Sequence, residues 1–404
     1  MSATACLDLQ TPPKNSFSGR NRLETIDLLR GLLMILMALD HTRDFFTNAT
    51  VDAADPAHSW PALFATRWVT HICAPGFVAL AGMSVYLQRQ RGKTAAQMAK
   101  LLVTRGLWLI LIEVTVVSFG WNFSRGLILQ VIWAVGAAMI LLGVLQWVPR
   151  IVVGGLGAAM IVLHNLLDPV RAQSFGRAEI GWDLLHQFTI FHPHGFFVAA
   201  GYPLIPWTGV ILVGYAAGPL ALKEAGLRRR ISTELGVAFL TVFAMLRATG
   251  GYGDHNHFVR VGSAARSAMS FMSVEKYPPS LHYLLATFGV LLLLYAALDL
   301  AVTRNWLGGV RSFVVTYGRV PFFYYVLHIY LLHTIALVMT AERGLDWRRW
   351  ETPGTIFFGH VPGWGYGLPG VYLVWAMVVL ALYLPCRWFS ELKARRKDWW
   401  LSYL

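Results

Sequence analysis

Charge and cysteine are both scarce in this chain. Only 14% of its 404 residues are Asp, Glu, Lys or Arg, and 56% are hydrophobic. A water-soluble chain of this length would need polar surface for two or three domains, which this composition cannot supply. The three cysteines, Cys6, Cys73 and Cys386, match no metal or redox spacing and read as unpaired. There is no P-loop, GxGxxG fingerprint, nucleophile elbow or HExxH, so the templates of soluble enzymes do not apply. The N-terminal ~20 residues lack an apolar core and hold Pro12 and Pro13, which argues for a short disordered tail rather than a signal peptide.

Long apolar runs are abundant instead. They fall near 28–46, 68–87, 101–119, 127–147, 150–166, 196–221, 232–248, 281–301, 312–339 and 367–389. Each is long enough, or nearly so, to cross a bilayer. The sixth and ninth runs are interrupted by Gly and Pro, and the fifth is the shortest. Sixteen Trp fit a chain with two membrane–water interfaces. The expected fold is all-α: a polytopic membrane protein of about ten transmembrane helices in one bundle. With the N-terminus inside, roughly twenty basic residues fall in cytoplasmic loops against about twelve outside, so both termini are expected in the cytoplasm. The net charge of +13 then reflects loop asymmetry, and no nucleic-acid partner is expected. Residues 1–21 form a disordered cytoplasmic tail in this reading, 22–390 the membrane domain, and 391–404 a basic cytoplasmic tail.

Ionisable residues inside these runs point to chemistry or transport, because each costs at least a few kcal/mol in a membrane. Arg30 and His41 lie on nearly one face of the first run, about 16 Å apart along a helix axis. Asp40 precedes His41. A neutral imidazole can take a proton from a hydroxyl or amine, whereas the plain reading is an interfacial histidine paired with Asp44. His71 and Arg67 share a face where the second run enters, and His71 either orients His41, polarises a carbonyl or is simply hydrated. Ala81, Gly82 and Ser84 read as a close helix-packing seam. In the loop GGYGDHNHF, Asp254, His255 and His257 specify too few ligands for zinc, and no metal is expected. Lys276 precedes a Pro-Pro entry and is either an anion-binding cation or a snorkelling lysine. His328 lies mid-run and is expected to face the interior with a buried polar partner. Most of the thirteen histidines fall on the outer half, which predicts a polar cavity opening outward.

Taken together, IDLLRGLLMILMALDHTRDFF, THICAPGFVALAGMSVYL, YPLIPWTGVILVGYAAG, RATGGYGD, KYPPSLHYLLATFG and GRVPFFYYVLH resemble bacterial members of the heparan-α-glucosaminide N-acetyltransferase family, in order, from about residue 22 to 385. The resemblance implies a multi-spanning acyltransferase that moves an acetyl group from cytosolic acetyl-CoA to an acceptor across the membrane, a sugar amine or hydroxyl. It also implies a bacterial inner-membrane location, with a homodimer as a compatible assembly. The Arg30–His41 spacing is similar to that of the acyltransferase-3 membrane O-acyltransferases, whose proposed catalytic histidine closes the motif. By that likeness His41 is the first catalytic candidate, with Asp40 and His71 beside it. Arg30 takes a structural or donor-facing role. The lysosomal family member's proposed catalytic histidine falls about where His58 stands, so His41, His58 and His71 all stay open. Arg228 and Arg229 would attract the CoA phosphates. Lys276, Asp254, His58 and His328 would position the acceptor. A proton-coupled transporter or a non-enzymatic sensor or scaffold is the alternative reading of the same ionisable spans.

Overall fold

The computed structural model describes residues 16–404 apart from 360, 397, 399, 400 and 402–404. Its helices follow the apolar runs. The first is α1, Ser16–Phe46, which begins inside the stretch expected as a tail. The second run becomes α2, Pro61–Thr70, and α3, Cys73–Arg89, separated by a turn at His71 and Ile72. The third is α4, Ala95–Ile112, continued through a π-helical turn at Glu113–Val117 into α5, Ser118–Asn122. Then come α6, Val131–Val144, and α7, Arg150–Leu163. A short α8, Glu179–His186, lies between the fifth and sixth runs. The rest are α9, Leu204–Ala216, α10, Ala225–Thr249, α11, Ala264–Met272, α12, Leu281–Thr303, α13, Gly308–Arg319, α14, Pro321–Glu342, α15, Thr355–Phe358, and α16, Leu368–Arg395.

Eight helical segments among the described residues are long and apolar enough to cross a membrane. Two further expected spans are helical as well. Helix α1 carries Arg30, Asp40, Arg43 and Asp44 along its length, and Val131–Trp147 is a shorter apolar helix. The chain is thus an all-α polytopic membrane protein. The sheet found among the described residues is small: β1, Gly126–Leu129, pairs parallel with β3, Phe197–Ala200, which pairs antiparallel with β2, Thr189–Phe191. The fourth and sixth runs therefore start as short strands and become helical only afterwards.

The ninth run does not form one helix. It divides at Val320 into α13 and α14, because Pro321 lacks an N–H and its ring disfavours helical geometry at the preceding residue. The break gives α13 a separate course against α1. There the backbones nearly touch: a Cβ placed on Gly318 would lie 1.8 Å from the Asp27 carbonyl oxygen. The small-residue seam in α3 packs as its composition implies, since a Cβ on Gly82 would lie 2.0 Å from the carbonyl oxygen of Ile211 in α9.

Candidate active site

At the His41 end of α1 the helices enclose a cavity of about 850 Å³. That volume lies within the range of small-molecule sites, roughly 300–1,000 Å³. Its wall combines His41, Asp40, Arg67 and Lys276 with an aromatic set of Tyr202, Tyr277, Tyr325, Trp350 and Trp364. The sequence alone singled out none of these rings. Loop residues 49–53 and 275–277 complete the wall.

His41 has a defined hydrogen-bond state. Its Nδ1 lies 2.7 Å from Nε2 of His328, and the two rings stack with centroids 5.0 Å apart. Nδ1 of His328 lies 3.0 Å from the carbonyl oxygen of Tyr324. A carbonyl can only accept, so His328 carries its proton on Nδ1 and presents a bare Nε2. His41 must then donate from Nδ1, which leaves the lone pair on its own Nε2. The Trp121 ring packs nearly perpendicular to the His41 ring, with centroids 4.8 Å apart. His41 therefore presents an Nε2 free to accept a proton, on a ring that lines the cavity. His328, buried completely, is the partner that selects its tautomer.

Asp40 is committed elsewhere. Its carboxylate accepts from Arg67 Nη1 at 2.7 Å and from Thr70 Oγ1 at 2.8 Å, and pairs with Arg43 at 2.8 Å. Arg43 also pairs with Asp44 at 2.6 Å. With Lys276, whose Nζ sits 5.1 Å above the Tyr277 ring, the wall sets the cations Arg43, Arg67 and Lys276 among the carboxylates Asp40, Asp44, Asp52 and Glu275. His71 is buried outside the cavity lining, its carbonyl accepting from Tyr283 Oη at 2.8 Å.

The remaining candidates lie apart from the cavity. His58 is exposed on the loop after α1, with Nδ1 2.5 Å from Asp55 Oδ2. Asp254 organises its own loop, accepting from the backbone N–H groups of Asn256 and Glu275 and from Ser280 Oγ. Arg30 donates to Asp27, the Gly318 carbonyl and Ser84, clamping α1 to α13 and α3. Arg228 is buried against Asp299, which also accepts from Arg229 at 3.3 Å. Sequence reasoning missed Glu113, which is fully buried and accepts from the backbone N–H of the cavity residue Gln130. Its signal was a single carboxylate inside the run 101–119.

The family described as heparan-alpha-glucosaminide N-acetyltransferase, catalytic, matches residues 22–250, more than half the chain. The chain belongs to that family. It is thereby a transmembrane acetyltransferase. A comparison with curated proteins finds no significant match. The matched region supplies His41, Asp40, Arg67 and the wall residue Tyr202, whereas Lys276, Tyr325 and His328 come from beyond it. Both parts of the chain build one site.

Proposed function

We propose that this acetyltransferase takes its acetyl group from cytosolic acetyl-CoA and passes it to a sugar amine or hydroxyl on the periplasmic side of a bacterial inner membrane, with His41 as general base. Ten spans with both termini in the cytoplasm would put the cavity end of α1 on the outer side and the Arg30 end on the inner side. The exposed cations at the start of α10 would attract the donor's phosphates from the cytoplasm. Arg229 retains partial exposure there despite its pairing with Asp299.

The observation that carries this reading is the His41–His328 pair. In the transfer step the acceptor nitrogen or oxygen attacks the thioester carbonyl carbon while Nε2 of His41 takes its proton. The resulting imidazolium keeps its Nδ1–H on His328. Collapse of the tetrahedral intermediate breaks the C–S bond, and the His41 proton passes to the departing CoA thiolate. Lys276 would face the developing oxyanion or an acidic group of the acceptor. The aromatic wall offers flat faces for a pyranose ring.

The test uses purified full-length protein, radiolabelled acetyl-CoA and glucosamine-terminated acceptors. Transfer of label, lost in His41→Ala with the fold retained, is the expected result. If the protein neither binds nor consumes acetyl-CoA with any amine or hydroxyl sugar, the reading is abandoned.

A further inference from the structure

Away from the cavity, three side chains converge where α7 ends. His164 opens the 3-10 turn that follows α7, Asp168 caps that turn, and His186 is the last residue of α8. Each offers one ligand atom, and these atoms all lie within 4.8 Å of one another. Both histidines are 1% exposed. Neither ring nitrogen of His164 has a hydrogen-bond partner, and Nδ1 of His186 has none either. Burying a polar atom without a partner is costly, so three in one cluster demand an explanation.

We propose that His164, Asp168 and His186 bind a zinc ion in a structural site that fastens α8 to the end of α7. Two neutral imidazoles and one carboxylate are a zinc ligand set, with water from the half-exposed side of Asp168 as the fourth donor. Tetrahedral zinc sets its donor atoms about 3.4 Å apart, so modest side-chain rotation closes the cluster around the ion. His186 Nε2 already lies 3.1 Å from Asp168 Oδ1.

The surroundings suit a metal. Asn165 Nδ2 donates to Asp168 Oδ2 at 3.0 Å, holding one carboxylate oxygen and leaving the other for the ion. Asn165 Oδ1 accepts from the backbone N–H of Leu281 at 3.1 Å, which joins the site to the first turn of α12. The Pro279 backbone interacts with the His164 ring and offers an acceptor for the nitrogen that does not hold metal. Trp182 packs on His186 with centroids 5.4 Å apart and shields that side. None of the three ligands lines the cavity, so the ion would brace the scaffold and touch neither reactant. The braced segment leads into β3, whose Ala199 is part of the cavity wall.

The experiment uses the full chain in detergent, free of any affinity tag, with Zn²⁺ alone as probe. Metal content after dialysis, competition with a chromophoric chelator, and thermal melting are the readouts. The expected result is one zinc per chain and a higher melting temperature with zinc, reversed by chelation. His164→Ala and His186→Ala should each abolish both effects. Asp168→Asn, a milder change that keeps the fold if the histidine variants do not, should weaken affinity about tenfold or more. The exposed pair variant His255→Ala/His257→Ala should bind as the parent does. No retained zinc, equal binding by Asp168→Asn, or loss of binding in the His255/His257 variant would each overturn the site.

Discussion

His41 and His328, 287 residues apart in sequence, share one hydrogen bond of 2.7 Å whose direction is set by the Tyr324 carbonyl. Replacing His328 by Phe would keep a ring in place but remove the acceptor, leaving the His41 proton on Nδ1 without a partner. A general base typically contributes about 10²–10⁴-fold, and loss of its tautomer control should forfeit about tenfold to a hundredfold of that. The expected signature is a lower kcat at unchanged KM for acetyl-CoA. His41→Ala should lose the full factor. A fall in KM-dependent terms alone in His328→Phe would mean that His328 serves binding and not the base.

Asp40 stands beside His41 in sequence, yet its carboxylate is bound by two arginines and a threonine. Asp40→Asn would leave Arg67 without its carboxylate partner and Arg43 with Asp44 alone, in a largely buried cluster. Breaking a buried pair from one side costs about 3–5 kcal/mol. The variant is expected to melt earlier or fail to accumulate, and any folded fraction should retain measurable transfer. A fully stable Asp40→Asn with no activity would instead put the carboxylate in the chemistry.

The positions of the helices were readable because membrane spans are one-dimensional: hydrophobic length alone marks them. The seam at Gly82 was readable for a similar reason, since small residues in a span serve close packing. Pro321 also announced the break in the ninth run, although the run's hydropathy bridged it. Partnerships were not readable. His41 and His328 each stood out as costly ionisable groups, but nothing in the sequence paired them across 287 residues. The basic run at Arg228 looked like a surface for phosphates throughout, because the carboxylate that buries Arg228 itself, Asp299, lies on another helix. His164 and His186 belong to different segments, and only folding of α8 back beside the turn after α7 sets them around Asp168.

Gly31 and Gly318 let α1 and α13 cross at backbone contact. A Cβ on Gly31 would lie 2.0 Å from the Val314 carbonyl oxygen, a group that cannot rotate away. Overpacking of this kind costs about 1–3 kcal/mol and often more when backbone must shift. Gly31→Ala should therefore lower the melting temperature and, by displacing the helix that carries His41, reduce transfer as well. Gly155→Ala is the matched control, because nothing lies within 4 Å of its added Cβ. That variant is expected to melt at or slightly above the parent temperature, as replacement of a helical glycine by alanine favours the helix.

His58 supplies the sharpest comparison between the histidines left open by sequence. Its side chain is 73% exposed and its partner is Asp55, three residues away on the same loop. The His58 hydrogen bond holds the Asp55 carboxyl below the usual carboxylate range, aided by the backbone N–H of Ala57. A depressed carboxylate pKa favours the folded loop above the ordinary Asp range and loses that contribution as the pH falls through the lowered value. Exposure makes the contribution small. His58→Ala should then leave melting near neutral pH almost unchanged and retain most acetyl transfer, while His41→Ala loses it. If the ranking is reversed, with His58→Ala inactive and His41→Ala active, the loop must close over the cavity during turnover and His58 becomes the base. Parallel assays of the two variants at saturating acetyl-CoA decide between a base built into the first helix and one delivered by the loop.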